Sequence, residues 1–116
     1  MESNIIGRFA ISNAGHDKGT LYVIVAKDEG ISSVIDKDMQ HTDIVRGKGF
    51  VYLCDGNYHT LEKPKKKSLK HVNLCKASVE EELRKRIMEK DKLFNHEIKY
   101  VIKQHSKGKE EGHVKE

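Results

Sequence analysis

The sequence is poor in the residues that stabilise small secreted proteins and in the long apolar runs of membrane proteins. It contains one proline, no tryptophan and two cysteines, Cys54 and Cys75, which lie far apart in the chain. The longest uncharged apolar run, residues 21–26, is much too short to cross a membrane, and residues 1–10 lack the apolar region of a signal peptide. We therefore expect a cytoplasmic protein, not bound to a membrane, whose cysteines are free thiols.

Residue patterns that support catalysis or metal binding are also scarce. The chain has no GxxxxGKS/T phosphate-binding loop, no HExxH motif and no serine in the context of a nucleophile elbow. The spacings of Cys54, His59, His71 and Cys75 are tolerable for zinc, but no CxxC pair accompanies them. Cys54 also lies within an apolar run, where a cysteine usually acts as a small core residue. We expect neither enzymatic activity nor a metal ion or other cofactor.

What the chain does have is a strong local excess of positive charge. Its net charge is +4. Residues 62–76 contain six lysines and one glutamate, a net charge of +5, whereas residues 1–61 carry −2 and residues 77–116 carry +1. The centre of this excess is "LEKPKKKSLKH", residues 61–71. Such a run is typical of a solvated surface, of a nuclear localisation signal or of a phosphate-binding surface.

The first half of the chain has the residue pattern of β-strands. Residues 7–12 alternate between apolar and polar side chains, which is typical of a half-buried strand. Residues 21–27 are β-branched and aromatic, as in a strand that is buried for most of its length. Residues 31–49 mix charged residues with isolated apolar pairs, and this pattern predicts a long loop with room for a short strand at each end.

A β-hairpin is predicted next. Its strands would be residues 50–54 and 58–61, joined by a turn that contains Asp55 and Gly56. Pro64 would end the second strand, because proline cannot donate a hydrogen bond to a β-ladder.

The second half of the chain has the periodicity of a helix. Residues 77–105 contain neither proline nor glycine, and Ser78 with Glu81 forms a capping-box pattern. Apolar residues follow at spacings of three, four or seven, which predicts one amphipathic helix over residues 77–106 that needs a partner surface. The apolar stripe consists of Val79, Leu83, Ile87, Phe94, Ile98, Val101 and Ile102.

The predicted fold is therefore mainly β. Short strands that end at residue 76 are too few to fill two packed sheets, so a small β-barrel over residues 1–76 is the simplest arrangement. The helix of residues 77–106 would extend from the barrel, and residues 107–116, which are polar and contain glycine, would be disordered.

The loop "AGHDKG", residues 14–19, joins two of the predicted strands. A glycine near its start and another at its end permit positive φ and a close approach of the backbone to a ligand. An ordinary hairpin loop would show the same spacing, so the pattern alone leaves both interpretations open.

These segments resemble a known family. "GRFAISNAGHDKGTLYVIVAKDEG" is similar to a KOW motif, and "YLCDGNYHTLEKPKKKSLKHV" is similar to the second half of small bacterial KOW-domain proteins, relatives of a large-subunit ribosomal protein of archaea and eukaryotes. The resemblance covers residues 7–30 and 50–72, so residues 31–49 look like an insertion. It implies an SH3-like barrel that binds RNA, plausibly ribosomal, without catalysis, and so a ribosome-associated role in translation.

The resemblance also implies which residues contact RNA. The KOW loop would contribute a first group, the lysine-rich strip after the hairpin a second, and Tyr58 would stack on an unpaired base. The expected RNA-binding residues are Gly15, His16, Asp17, Lys18, Gly19, Tyr58, His59, Lys63, Lys65, Lys66, Lys67, Lys70 and His71.

A second interpretation is a protein-interaction adaptor that uses the barrel surface or the C-terminal helix. The helix lies outside the resemblance, and its apolar stripe could cover the barrel, bind a protein partner or pair with a second copy over residues 78–105. In that case the lysines would solubilise the protein or steer an acidic partner.

Overall fold

The computed structural model of the chain describes residues 2–3, 5–36, 42–89 and 93–114. Its architecture is mainly β, as the sequence predicts, and it contains two helices. The strands are Glu2–Ser3 (β1), Arg8–Ser12 (β2), Leu21–Lys27 (β3), Ser32–Asp36 (β4), Thr42–Arg46 (β5), Phe50–Cys54 (β6), Lys65–Ser68 (β7) and Val72–Ser78 (β8). The helices are Glu81–Glu89 (α1) and Asn95–Val114 (α2), and a short 3-10 helix spans Leu69–His71.

Five strands form an antiparallel sheet that curls into a half-barrel, in the order β7-β6-β3-β2-β8. Strands β2, β3, β6 and β7 follow one another as a meander, and β8 returns after the 3-10 helix to pair with β2. Backbone hydrogen bonds hold this return segment, from Leu69 N to Gly49 O at 3.1 Å and from Asn13 N to His71 O at 2.9 Å. The edge strands β7 and β8 are thus linked by the 3-10 helix that lies between them in the chain.

Both faces of the half-barrel carry buried apolar residues. Ala10, Tyr22, Ile24 and Leu53 belong to one apolar cluster, while the alternate residues Phe9, Val23 and Cys54 belong to a second cluster with the helices. Side chains that alternate along a strand point to opposite faces, so a strand packed on both faces must be apolar throughout. This requirement explains the almost continuous apolar sequence of β3.

The prediction of one long helix is wrong, because α1 ends at Glu89 and residues 93–94 are not helical. The break falls where the apolar stripe is interrupted, between Ile87 and Phe94. A new helix start follows, at which Phe94 N–H donates to the Glu97 carboxylate at 2.9 Å. Ser78 is the last residue of β8, so the predicted helix start is also wrong, and α2 continues to Val114 through residues for which the sequence predicts disorder.

The segment 31–49 contains a short strand towards each end, for which the sequence leaves room, but the two strands pair as a hairpin and do not merely flank a long loop. Strands β4 and β5 pair antiparallel, with Val34 opposite Ile44, and β1 adds a third strand next to β4. The two apolar pairs that appear isolated in the sequence therefore lie in paired strands. These three strands form a sheet of their own.

The partner of β6 also differs from the prediction. Residues 58–61 are not a strand, and β6 pairs with β7, with Tyr52 opposite Lys66 and Phe50 opposite Ser68. Pro64 precedes this strand and does not end the hairpin. The lysine-rich sequence is compatible with β7 because β7 is an edge strand, where lysine and an adjacent proline are both common.

Ile98 of α2 is fully buried in the apolar cluster that includes Phe9 and Val23, and the ring of His105, further along α2, stacks on Phe9 at 4.3 Å. We expect Ile98→Ala to lower the free energy of unfolding by about 2–4 kcal/mol, because it removes buried methyl groups and leaves a cavity. Urea denaturation would measure this, with Lys103→Ala on the exposed surface of α2 as the control. Equal and small effects of both variants would show that α2 does not stabilise the half-barrel.

Candidate nucleic-acid interface

The 14–19 loop and the lysine-rich strip are brought together by Lys67. Its ammonium Nζ donates to the Asp17 carboxylate Oδ1 at 2.7 Å and to the Ala14 carbonyl oxygen at 2.7 Å. The loop therefore lies against β7, and the two regions that the sequence picks out separately are neighbours in the structure.

Asp17 is the centre of a hydrogen-bond network on the inner side of the loop. Besides Lys67, it accepts from the Ser12 hydroxyl at 2.9 Å and from the Tyr22 hydroxyl at 2.8 Å. Burial opposes ionisation of the carboxyl, but these three hydrogen bonds and the charge of Lys67 outweigh it and hold the pKa of Asp17 well below its ordinary value. Burial and the bond to Asp17 raise the pKa of Tyr22 well above its ordinary value.

The predicted site contains residues that take part in this network and residues that are exposed to solvent. The side chains of Lys67 and Asp17 are only 10% and 17% exposed, so both mainly position the loop. His16 and Lys18 are exposed on the loop. Gly15 and Gly19 adopt positive φ of 86° and 92°, the conformation that the sequence predicts for a tight loop.

Strand β7 and the 3-10 helix place the other cations of the strip. Lys66 is exposed on the outer face of the sheet, with its ammonium 4.4 Å from the centre of the Phe50 ring. Lys65 alternates with Lys66 and is half-buried. The remaining members of the strip are exposed, and these are Lys63, Lys70 and His71.

The turn after β6 exposes Tyr58 and turns His59 inward. Tyr58 is 85% exposed. The His59 ring lies 5.8 Å from the ring of buried Tyr22 and is tilted against it, which leaves His59 less available to a ligand than Tyr58. Asp55 fixes the turn by accepting from the backbone amides of Asn57 at 2.9 Å and of His59 at 2.8 Å.

Phe50 is a feature that the sequence interpretation missed. It is 40% exposed beside Lys66, and its backbone amide donates to Asp28 at 2.9 Å. The Tyr52 hydroxyl donates to the same carboxylate at 3.2 Å. The pairing of β6 with β7 places Phe50 and Lys66 on one face, so only a correct strand register could have revealed this neighbour of the lysines.

A separate surface lies between the two helices. A groove of about 690 Å³ is bordered by Leu83, Val101, Tyr100 and the acidic residues Glu80 and Glu82, among others. An ion pair between Arg86 and Glu97 joins the helices across it. Tyr100 is 61% exposed, so this surface offers an aromatic side chain of the kind that protein partners often contact.

The four residues whose spacings are tolerable for zinc do not form a metal site in the structure. Within the part of the chain that the structure describes, no three histidine, cysteine or acidic side chains are grouped so that they could hold a metal ion. Cys54 is buried in the core, and burial raises the pKa of its thiol to about 11. Among the same residues, no helix is long and apolar enough to span a membrane.

Comparison with known proteins adds no relative. The chain matches no family model and no curated protein. What the protein does must therefore be inferred from its own residues and their contacts.

Proposed function

We propose that the protein is a non-catalytic RNA-binding protein that contacts the phosphate backbone of structured RNA, such as ribosomal RNA. The observation that carries this proposal is the Lys67–Asp17 ion pair, which joins the loop to β7. Through it, the loop that carries the exposed Lys18 lies against the strand that carries the exposed Lys66, and Lys70 follows that strand in the 3-10 helix. A cluster of this kind attracts a polyanion.

The type of cation favours contact with the backbone over base recognition. A lysine ammonium is a compact point charge that suits phosphate oxygens, whereas arginine or asparagine would read base edges by paired hydrogen bonds. Lys67 is bound to Asp17, but the other five lysines of the predicted site can reach solvent. With the histidines included, we therefore expect about four to six phosphate contacts. The proposed ligand is thus recognised mainly by shape and charge.

The strand order supports the KOW-type, SH3-like barrel that the sequence resemblance implies. A four-strand meander and a fifth strand that returns through a 3-10 helix to pair with the first strand are compatible with that fold. The segment 31–49, outside the resemblance, forms a separate hairpin and leaves this strand order uninterrupted. Because the family resemblance implies it, the proposal includes a ribosome-associated, cytoplasmic role in translation.

Salt dependence tests the proposed RNA binding directly. We expect the protein to bind a fluorescein-labelled RNA hairpin, with log K falling against log salt at a slope of about −3 to −5, because about four to six cations displace counterions from phosphates. Fluorescence anisotropy between about 0.05 and 0.3 M KCl would measure this slope. Absence of binding at the lowest salt would overturn the proposal.

An adaptor function is the second candidate, and the groove between α1 and α2 is the observation that favours it. Its exposed rim residues Glu80 and Glu82 suit a partner protein with a basic segment, while Tyr100 offers apolar contact. If this is the only function, replacing the lysines of β7 should change no binding property of the protein. The RNA titration therefore separates the two candidates.

A further inference from the structure

The turn of residues 55–59 holds Tyr58 outward on a fixed backbone. Asp55 N–H and Gly56 N–H both donate to the His59 carbonyl oxygen, at 2.9 and 3.2 Å, and the Asp55 carboxylate accepts from two amides of the same turn. Tyr58 nevertheless stays 85% exposed. An aromatic ring held in solvent by a rigid turn is preorganised to stack on another ring, because little conformational entropy is lost on contact.

Helix α2 packs directly against this turn. Gly56 has φ of +77°, and a Cβ atom there would lie 2.8 Å from the backbone nitrogen of Lys99, so only glycine allows so close an approach. At the start of α2, the Asn95 side-chain oxygen accepts from Leu61 N–H at 2.7 Å, and its amide nitrogen donates to Glu62 at 3.1 Å. The first turns of α2 are therefore fixed relative to Tyr58.

The flank of α2 beside the turn is basic. Lys99, which follows the buried residue Ile98, and Lys103 are both exposed and lie one helical turn apart. The acidic residues Asp55 and Glu62 are both engaged in hydrogen bonds, Asp55 with the amides of the turn and Glu62 with Asn95 at the start of α2. Cations therefore adjoin this turn in two ways, since Lys99 of α2 lies next to Gly56 and Lys63 and Lys65 follow the turn in the chain.

We infer that the RNA-binding surface continues across Tyr58 onto α2, and that its ligand is a stem interrupted by a bulge or ended by a loop. In this arrangement Tyr58 stacks on an unpaired base, while the lysines of the strip and of α2 contact phosphates on either side of that base. A continuous duplex offers phosphates but no free base, so it leaves the tyrosine unused. The inference rests on the proposed RNA binding and adds the class of RNA and a second contact surface, in a helix that lies outside the family resemblance.

The test compares two labelled RNAs, a stem with a single-nucleotide bulge and the same stem fully paired, by fluorescence anisotropy. Lys99→Glu should weaken binding to both RNAs by at least about fivefold and make the salt slope shallower by about one. Tyr58→Leu should weaken binding to the bulged RNA by about 5- to 100-fold and have little effect on the paired RNA, because the loss is confined to stacking. The matched control is Lys85→Glu, the same charge change at an exposed residue of α1.

The outcomes distinguish this inference from the proposed function. If Lys99→Glu behaves like Lys85→Glu, or if the wild-type protein shows no preference for the bulged RNA, the inference is overturned while RNA binding itself stands. If the wild-type protein binds neither RNA at low salt, the proposed function fails as well. Circular dichroism melts of each variant exclude loss of the fold as the cause, since all three side chains are exposed.

Discussion

Replacing Lys18, Lys66 and Lys70 together by glutamate should abolish RNA binding and leave the fold intact. All three side chains are exposed, so their replacement costs little stability. Each reversal removes a phosphate contact and adds a repulsive charge, so we expect the affinity at about 0.1 M salt to fall by at least about 100-fold. Anisotropy titration with the RNA hairpin measures the loss, and the unfolding midpoint in urea verifies the fold.

The choice of these three lysines follows from the structure. Lys67 belongs to the same basic run, but its ammonium is bound to Asp17 and to the Ala14 carbonyl, so its replacement would disturb the loop as well as the charge. The control is the triple replacement of Lys18, Lys66 and Lys70 by arginine, which keeps every charge and should retain binding. Undiminished affinity in the glutamate variant would show that this surface does not contact RNA.

The sequence predicts the centre of the sheet well and its edge poorly. Strands β2, β3 and β6 have alternating or β-branched residues, which are direct consequences of burial on the sheet faces. Strand β7 reads Lys-Lys-Lys-Ser, and neither composition nor alternation identifies it. Its place in the sheet is set by the ladder to β6, a contact between segments that local patterns do not encode.

The candidate site, like the sheet, could be predicted only in part. The residue types of the 14–19 loop and of the lysine-rich strip are visible in the sequence, and the family resemblance points to both. The different role of Lys67 is not visible, because its partner Asp17 lies 50 residues away along the chain. The same holds for Lys99, whose neighbour Gly56 is on a different element. Identical residue types in one run can therefore serve as a ligand contact or as an internal support.

Asp17→Asn should destabilise the protein by about 2–4 kcal/mol at pH 7, because it leaves the Lys67 ammonium partly buried without a counter-charge. The ordinary pKa of 3.8 is lowered in the folded state, so the stabilising contribution of Asp17 is complete above pH 3.8 and is lost progressively as the pH falls below it. The stability difference between wild type and variant should thus be largest near neutral pH and shrink at about pH 3. Urea denaturation at both pH values measures this difference.

The double variant Asp17→Asn/Lys67→Met separates the geometry of the loop from its charge. It preserves the net charge of +4, and it should be more stable than Asp17→Asn alone, because no unpaired ammonium is left in the partly buried site. If the ion pair positions the loop against β7, this variant should bind the RNA hairpin about tenfold more weakly than wild type, since the loop that carries Lys18 is no longer held against β7. Wild-type affinity in the double variant would mean that charge alone, independent of the loop position, accounts for binding.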